Sequence, residues 1–250
     1  MKKINNIFEY DLSIIVPCYN EAQNLEFLFS KIIEISKNVK IKIEIILVDN
    51  GSSDNTFVKI LDFQKKMNNK LKIEVLKINK NEGYGNGIMS GLKIAKGELL
   101  SWTHADYQTE LNDVIRAYDI YNLNFKTNKN FLIKGKRGKR PFSDILFTKF
   151  MSIFIFFISG KRFTDINAQP KFFHKNFLKL IVKAPKDFLL DFYVLDLALR
   201  NNFQIKDFDV SFKKRAFGKS KGGGSLIGKI KLSIRSLIYI TKYYHGNHNT

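Results

Sequence analysis

An α/β domain with a mostly parallel central sheet flanked by helices is the fold class this sequence predicts. Short apolar runs alternate with amphipathic stretches between Leu12 and Trp102. Each of these runs is bounded by polar or glycine-rich turns. The chain has 250 residues, 44% of them hydrophobic, enough to bury a core on both faces of a sheet.

Leu12 to Val16 (LSIIV) reads as a buried strand that Pro17 terminates. Asn20 is placed to cap the next helix, whose apolar positions include Leu25, Leu28, Phe29, Ile32 and Ile33. Ile41 to Val48 is the second strand and ends at Asp49. Ser53 or Asp54 caps a second helix, with Phe57, Ile60 and Leu61 on one face. Leu71 to Ile78 is the third strand, and a glycine-rich turn leads from it to a helix carrying Ile88, Met89, Leu92 and Ile94. Glu98 to Trp102 is the fourth strand, followed by His104-Ala105-Asp106. Strand and helix alternating at short spacing require parallel strands joined by right-handed crossovers. Ligands bind such sheets beyond the carboxyl ends of the strands. The clusters Pro17 to Glu21, Asp49 to Asp54 and His104 to Gln108 fall there, and can converge.

The second half is less regular. Phe131 to Lys134 reads as a strand, followed by the basic run Lys134, Lys136, Arg137, Lys139, Arg140. Phe142 to Ile158 reads as a helix, apolar almost all round from Phe150. Asn167 to His174 reads as a strand, and Leu189 to Arg200 as a helix whose Asp191 and Asp196 either support the site from behind or, the favoured reading, form its solvent face. Gln204 to Phe212 alternates loosely as a last strand. After a Gly/Lys loop at Lys219 to Ser225, Leu226 to Tyr244 forms the final helix.

The formal net charge of +19 points to a polyanionic partner or to biased composition, and its placement decides between them. The charge is concentrated beside apolar helices, and no nucleic-acid module is recognisable, so the charge reads as bilayer and phosphorylated ligand with no nucleic acid. On a helical wheel Leu226, Ile227, Ile230, Ile234, Leu237, Ile238 and Ile240 share one face, with Lys229, Lys231, Arg235 and Lys242 on the other. That is the pattern of a helix lying on an anionic membrane surface, although both late helices can also simply cover the sheet or form a dimer contact. The longest uncharged apolar stretch, between Lys149 and Lys161, falls short of the ~20 residues of a spanning helix. With one cysteine, Cys18, and no signal-peptide pattern, the expectation is a protein peripheral to the cytoplasmic face of the membrane.

Two motifs are set aside. Gly218-Lys219-Ser220 resembles the end of a P-loop, but Lys213 stands where that loop needs glycine. The run Gly83, Gly85, Gly87, Gly91 follows the third strand with the wrong spacing for a dinucleotide fingerprint.

VPCYNE (Val16 to Glu21), VDNGSSDNT (Val48 to Thr56), NEGYGNGIMSGLKIAKGE (Asn81 to Glu98), HADYQ (His104 to Gln108) and RAFGKSK (Arg215 to Lys221) occur in this order. Together they resemble glycosyltransferase family 2, with its GT-A fold. The similarity is to the branch of dolichyl-phosphate mannose synthase and bacterial polyprenyl-phosphate sugar transferases. The resemblance covers about residues 12 to 221 and implies a GT-A domain over 1–221, with a Gly-rich loop and amphipathic helix over 222–250.

The resemblance implies transfer of a sugar from a nucleoside diphosphate sugar (UDP- or GDP-linked) to a polyprenyl phosphate, with inversion at the anomeric carbon. Pro17, Tyr19, Glu21, Asp49 and Gly83 would line the donor site. Asp106 and Gln108 would hold a divalent cation, Mg²⁺ or Mn²⁺, against the donor diphosphate. His104 departs from the family's Asp-Ala-Asp-Leu-Gln pattern, and imidazole suits Mn²⁺ better than Mg²⁺. Asp106 and Arg215 are the expected catalytic residues, and Arg215, Ser220 and Lys221 form a phosphate-binding loop. Arg137 aligns with a basic residue near the acceptor phosphate. Asp165, Asn167 and Gln169 either hydrogen-bond the sugar or acceptor, or form a polar turn.

A hydroxyl acceptor needs a general base, whereas a phosphate arrives ionised, and no Glu-Asp base motif follows Asp106. Transfer to a glycan or lipid hydroxyl is the alternative enzyme. A non-catalytic nucleotide-sugar-binding or scaffold protein is the alternative of another class. Relatives often carry spanning helices that this sequence lacks, which leaves room for a partner membrane protein.

Overall fold

The computed structural model describes residues 8–67, 70–106, 108–138, 142–213 and 226–246. Seven strands, β1 (Tyr10–Cys18), β2 (Ile43–Asn50), β3 (Lys72–Ile78), β4 (Gly97–Trp102), β5 (Phe131–Arg137), β6 (Lys171–His174) and β7 (Gln204–Val210), form one sheet in the order β3-β2-β1-β4-β6-β5-β7. All neighbours are parallel except β6, which runs antiparallel between β4 and β5. The helices are α1 (Leu25–Asn38), α2 (Thr56–Met67), α3 (Tyr84–Ile94), α4 (Asn112–Asn124), α5 (Phe142–Ser159), α6 (Leu190–Arg200) and α7 (Leu226–Gly246).

β2 is buried along its whole length because helices cover both faces of the sheet. Alternate strand residues serve the two sides. Ile14, Val16, Ile45 and Leu47 pack with α1, α2 and α4, whereas Ile15, Ile46, Val48, Leu100 and Trp102 pack with α3 and α6. The second core also receives Ile155 from α5 and Ile240 from α7.

Several sequence expectations change. Pro17 does not end β1; the strand continues to Cys18, with Pro17 paired to Val48. Asn20 does not cap α1, which starts after Asn24. It adopts φ 53° instead, a left-handed conformation that asparagine tolerates, and its side chain serves the neighbouring loop. β5 runs on through Arg137, drawing Lys134 and Arg137 out of the expected basic run and into ion pairs with Asp207 and Asp165. The strand expected from Asn167 begins only at Lys171, after a turn containing a cis Gln169–Pro170 bond. The largest correction concerns α6. Asp191 and Asp196 are buried, because α6 is enclosed on every side and not only on its sheet-facing one. α7 also splits its expected face. Ile240 is buried while Ile230, Ile234 and Ile238 stay exposed.

Candidate functional site

The loops after β1 and β2 are sewn together. Asn20 Oδ1 accepts the Ser53 N–H at 2.8 Å, the Asn20 N–H donates to Ser52 Oγ at 3.0 Å, and the Glu21 N–H donates to Thr56 Oγ1 at 2.9 Å. Asp54 accepts the Thr56 N–H at the start of α2, as a capping residue should. Glu21 is fixed by the Asn24 side-chain amide at 2.5 Å. Tyr19 lies half-buried in the same loop.

Asp49, fully buried at the end of β2, accepts the Ser52 N–H at 3.3 Å through Oδ1, while its Oδ2 has no hydrogen-bond partner. Asn50 beside it donates to the Gly83 carbonyl at 2.9 Å and leaves its Oδ1 unpartnered. Buried carboxylate and amide oxygens without partners are costly and uncommon. As consecutive residues of β2 the two face opposite sides of the sheet, Asn50 towards Gly87 of α3. Gly83 itself has φ 122°, and a Cβ there would collide with the Lys186 carbonyl. Gly85 is equally crowded, and the Asn86 N–H donates to Lys186 O at 2.9 Å. The glycine-rich turn is therefore pressed against the segment preceding α6.

Beyond β4, Asp106 is 8% exposed and its Oδ1 accepts the Gln108 N–H at 3.1 Å. Thr103 and Thr109 hydroxyls bond 3.0 Å apart beneath it. His104 stacks on Tyr84 of α3, ring centroids 5.3 Å apart. Among the described residues no three His, Cys, Asp or Glu side chains gather as a metal cage. The donor set of Asp106 carboxylate, Gln108 amide and His104 imidazole fits a hard cation that takes most of its ligands from elsewhere, as Mg²⁺ and Mn²⁺ do from phosphates.

Arg215, Ser220 and Lys221 lie outside the described residues. Their approach is described, however. Lys213, two residues before Arg215, donates its N–H to Gln108 O at 3.0 Å and accepts the Gln108 side-chain amide at 3.3 Å. It also pairs with Glu110. The chain thus enters the basic loop beside Asp106.

On the other side of Tyr84 stands a buried polar cluster in which the sequence singled out Gln169 and Asp191 but not Lys171 or the pairing between them. Gln169 Nε2 donates to Tyr84 Oη at 2.9 Å and to Asp191 at 3.0 Å. Asp191 pairs with Lys171 at 3.3 Å, and both are buried. Lys171 also donates to the Ile166 and Ala168 carbonyls, at 2.8 and 2.6 Å. Burial pushes the Lys171 ammonium down to about 8, against the opposing pull of Asp191. Burial likewise pushes the Tyr84 hydroxyl well above its ordinary range. In the same turn Asp165, at φ 39°, grips Arg137. It accepts the Arg137 N–H at 2.7 Å and Nε at 2.9 Å, together with Nη2. Asp165 and Gln169 are therefore held by protein partners, one by Arg137 and the other by Tyr84 and Asp191.

Arg137 lines a cleft between α5, α6 and α7 with a volume of about 170 Å³. Met151, Ile155, Phe192, Leu232 and Ile240 supply its apolar lining, and Asn167 joins Arg137. The turn of residues 165–170 thus has the cleft on one side and the Tyr84–His104 pair on the other.

Residues 13–125 match the family model described as Glycosyl transferase family 2. Among curated proteins it is 32% identical over 150 residues to a dolichyl-phosphate beta-glucosyltransferase of Dictyostelium discoideum, covering 57% of this chain and 44% of that one. It is 33% identical over 115 residues to the undecaprenyl-phosphate 4-deoxy-4-formamido-L-arabinose transferase of Proteus mirabilis, covering 46% and 33%. The aligned region thus spans less than half the length of these relatives. Among solved structures, glucosyl-3-phosphoglycerate synthase of Mycobacterium tuberculosis with Mn²⁺, UDP and glucosyl-3-phosphoglycerate superposes with a TM-score of 0.66, at 14% identity over 95% of this chain and 81% of that one. The shared architecture is the GT-A fold.

Proposed function

We propose that this chain transfers a sugar from a nucleoside diphosphate sugar to a polyprenyl phosphate at a membrane surface. The observation that carries the reading is the apolar cleft lined by Arg137, with the turn of residues 165–170 between it and the Tyr84–His104 pair. A lipid phosphate has the matching chemistry, a hydrocarbon stem and an anionic head suited to a guanidinium fork. The named acceptors of the two curated relatives, dolichyl and undecaprenyl phosphate, support the same class.

The unpartnered oxygens of Asp49 and Asn50 would take donors from the nucleoside, with Pro17, Tyr19, Glu21 and Gly83 shaping that pocket. Asp106, with Gln108 and His104, would hold the cation, which when bound offsets the charge gathering on the leaving diphosphate. Arg215, Ser220 and Lys221 would bind phosphate. Arg137, oriented by Asp165, would fix the acceptor phosphate.

The two buried carboxylates nearest this acceptor side support a reaction without a general base. Asp165 is committed to Arg137 and Asp191 to Lys171. With both carboxylates engaged by cations, the arrangement suits a nucleophile that arrives ionised.

The outer surfaces of the cleft helices support membrane contact. Leu146, Phe150, Ile153 and Phe157 form an exposed stripe on α5, with Phe157 80% exposed, and Ile230, Ile234 and Ile238 form another on α7. Lys231, Arg235 and Lys242 flank the second stripe. Among the described residues no helix is long and apolar enough to cross a membrane.

The test is transfer by purified protein from a panel of UDP- and GDP-sugars, with Mn²⁺ or Mg²⁺, to a short polyprenyl phosphate in detergent. A lipid-linked product that needs metal and vanishes in Asp106→Ala is expected. If Asp165→Asn abolished turnover but left donor and metal binding intact, a base-dependent hydroxyl acceptor would replace this reading.

A further inference from the structure

One side chain gathers three elements that border the acceptor cleft. Asp196 of α6 is fully buried, and its carboxylate accepts Lys161 Nζ at 3.0 Å, Arg200 Nε at 2.5 Å, Tyr243 Oη at 3.0 Å and Tyr244 Oη. Lys161 follows directly on α5, after Gly160 turns the chain at φ 68°. Tyr243 and Tyr244 are in the last turn of α7. Arg200 lies over both of their rings, 5.2 and 4.9 Å from the centroids. The exit of α5 and the end of α7 are therefore fastened to the same carboxylate.

A buried carboxylate is tolerated only with partners, and removing them is expensive. Four donors on one carboxylate make a joint far stiffer than an exposed ion pair. The other charged link on α7, Arg235 to Asp187 at 2.9 Å, has a guanidinium that is 68% exposed and contributes little. Along the same helix Leu232, Ser236 and Ile240 line the cleft, as do Met151 and Ile155 of α5.

We infer that Asp196 is a positioning residue. By clasping Lys161, Tyr243 and Tyr244 it sets the spacing of α5 and α7, and so the width of the cleft that receives the acceptor. The inference rests on the proposed function for what the cleft binds, and on the hydrogen bonds alone for the clasp.

Asp196→Asn would leave Lys161 and Arg200 partly unpaired and can unfold the protein, so the primary test is Tyr243→Phe with Tyr244→Phe. This pair removes two donors with little change in volume, and the two cations remain on Asp196. Spin labels at Phe150→Cys and Ile234→Cys, both exposed, would read the distance between α5 and α7, since Cys18 is fully buried. The double variant is expected to broaden that distance distribution. It should also raise KM for a short polyprenyl phosphate in detergent roughly tenfold, the scale of losing hydrogen bonds to a charged group. KM for the nucleotide sugar should stay unchanged, which a general loss of structure would not give. An unchanged distance distribution, or an unchanged acceptor KM, overturns the inference. If the unsubstituted protein turned over no lipid phosphate at all, the proposed function would fail, and the distance measurement alone would decide the clasp.

Discussion

The two halves of the sheet bury polar groups in opposite ways. Around the ends of β1, β2 and β4 the contacts are mainly hydrogen bonds between neutral groups and single carboxylates, and Asp49 and Asn50 keep oxygens with no partner. Around β5, β6 and α6 the buried or half-buried carboxylates are paired with cations: Asp207 with Lys134, Asp165 with Arg137, Asp191 with Lys171, and Asp196 with Lys161 and Arg200. The contrast teaches where a ligand is expected to complete the structure and where the protein completes itself. Open oxygens suit a nucleoside that brings N–H and O–H donors. Closed ion pairs suit an acceptor that brings its own negative charge and asks only for a cation and an apolar channel.

The contrast is broken most severely at Lys171. Lys171→Met strands the buried Asp191 charge and should cost about 3–5 kcal/mol in urea unfolding. Combining it with Asp191→Leu should recover a substantial part of that loss, because no charge is then left alone. Were the double variant no better than the single one, the pair would not be the closed unit described.

Asp106→Ala should lower turnover roughly 10²–10³-fold, the scale of removing one group that stabilises developing charge. Its stability should change by about 1 kcal/mol, the scale of losing the hydrogen bond from the Gln108 N–H. Urea midpoints and transfer rates on one preparation separate the two effects.

These two residues were not equally legible in the sequence. β1 to β4 and their polar ends could be read because short Ile- and Val-rich runs such as Ile43 to Val48 stop at Gly, Pro, Asn and Asp, and the period follows from local sterics. Asp106 stands at such an end. Lys171 and Asp191 pair across 20 residues of sequence, and Lys161 and Asp196 across 35. No local pattern encodes such a partner. One available signal was that α6, LDFYVLDLALR, is apolar almost all round, which marks a helix enclosed on every side and so puts its aspartates inside. Asn20 misled for another reason. Asparagine favours both helix caps and left-handed turns, and the structure uses the second.

Gly83→Ala sharpens the donor side. With φ at 122° and the Lys186 carbonyl in the way of a Cβ, the substitution should weaken nucleotide-sugar binding by about 1–3 kcal/mol in calorimetric titration. Acceptor affinity should be unaffected.

The smallest effect is a pH dependence. Burial depresses the Lys171 value to about 8 from the 10.5 of an unperturbed lysine. Between these values the unfolded chain holds the proton and the folded protein does not, so this group makes stability rise with pH. The slope is at most ~1.4 kcal/mol per pH unit. Below pH 8 the group is protonated in both states and the slope vanishes. Unfolding midpoints of the unsubstituted protein and Lys171→Met, compared from pH 7 to 9.5, isolate it.

The central claim, that the acceptor brings its own charge, is tested most directly by competition. Equal amounts of a short polyprenyl phosphate and the corresponding polyprenol would be offered in detergent with the best nucleotide sugar and Mn²⁺. The account predicts sugar on the phosphate alone. Sugar on the alcohol at a comparable rate would contradict it, because Asp165 and Asp191, the buried carboxylates beside the cleft turn, are held in ion pairs with Arg137 and Lys171.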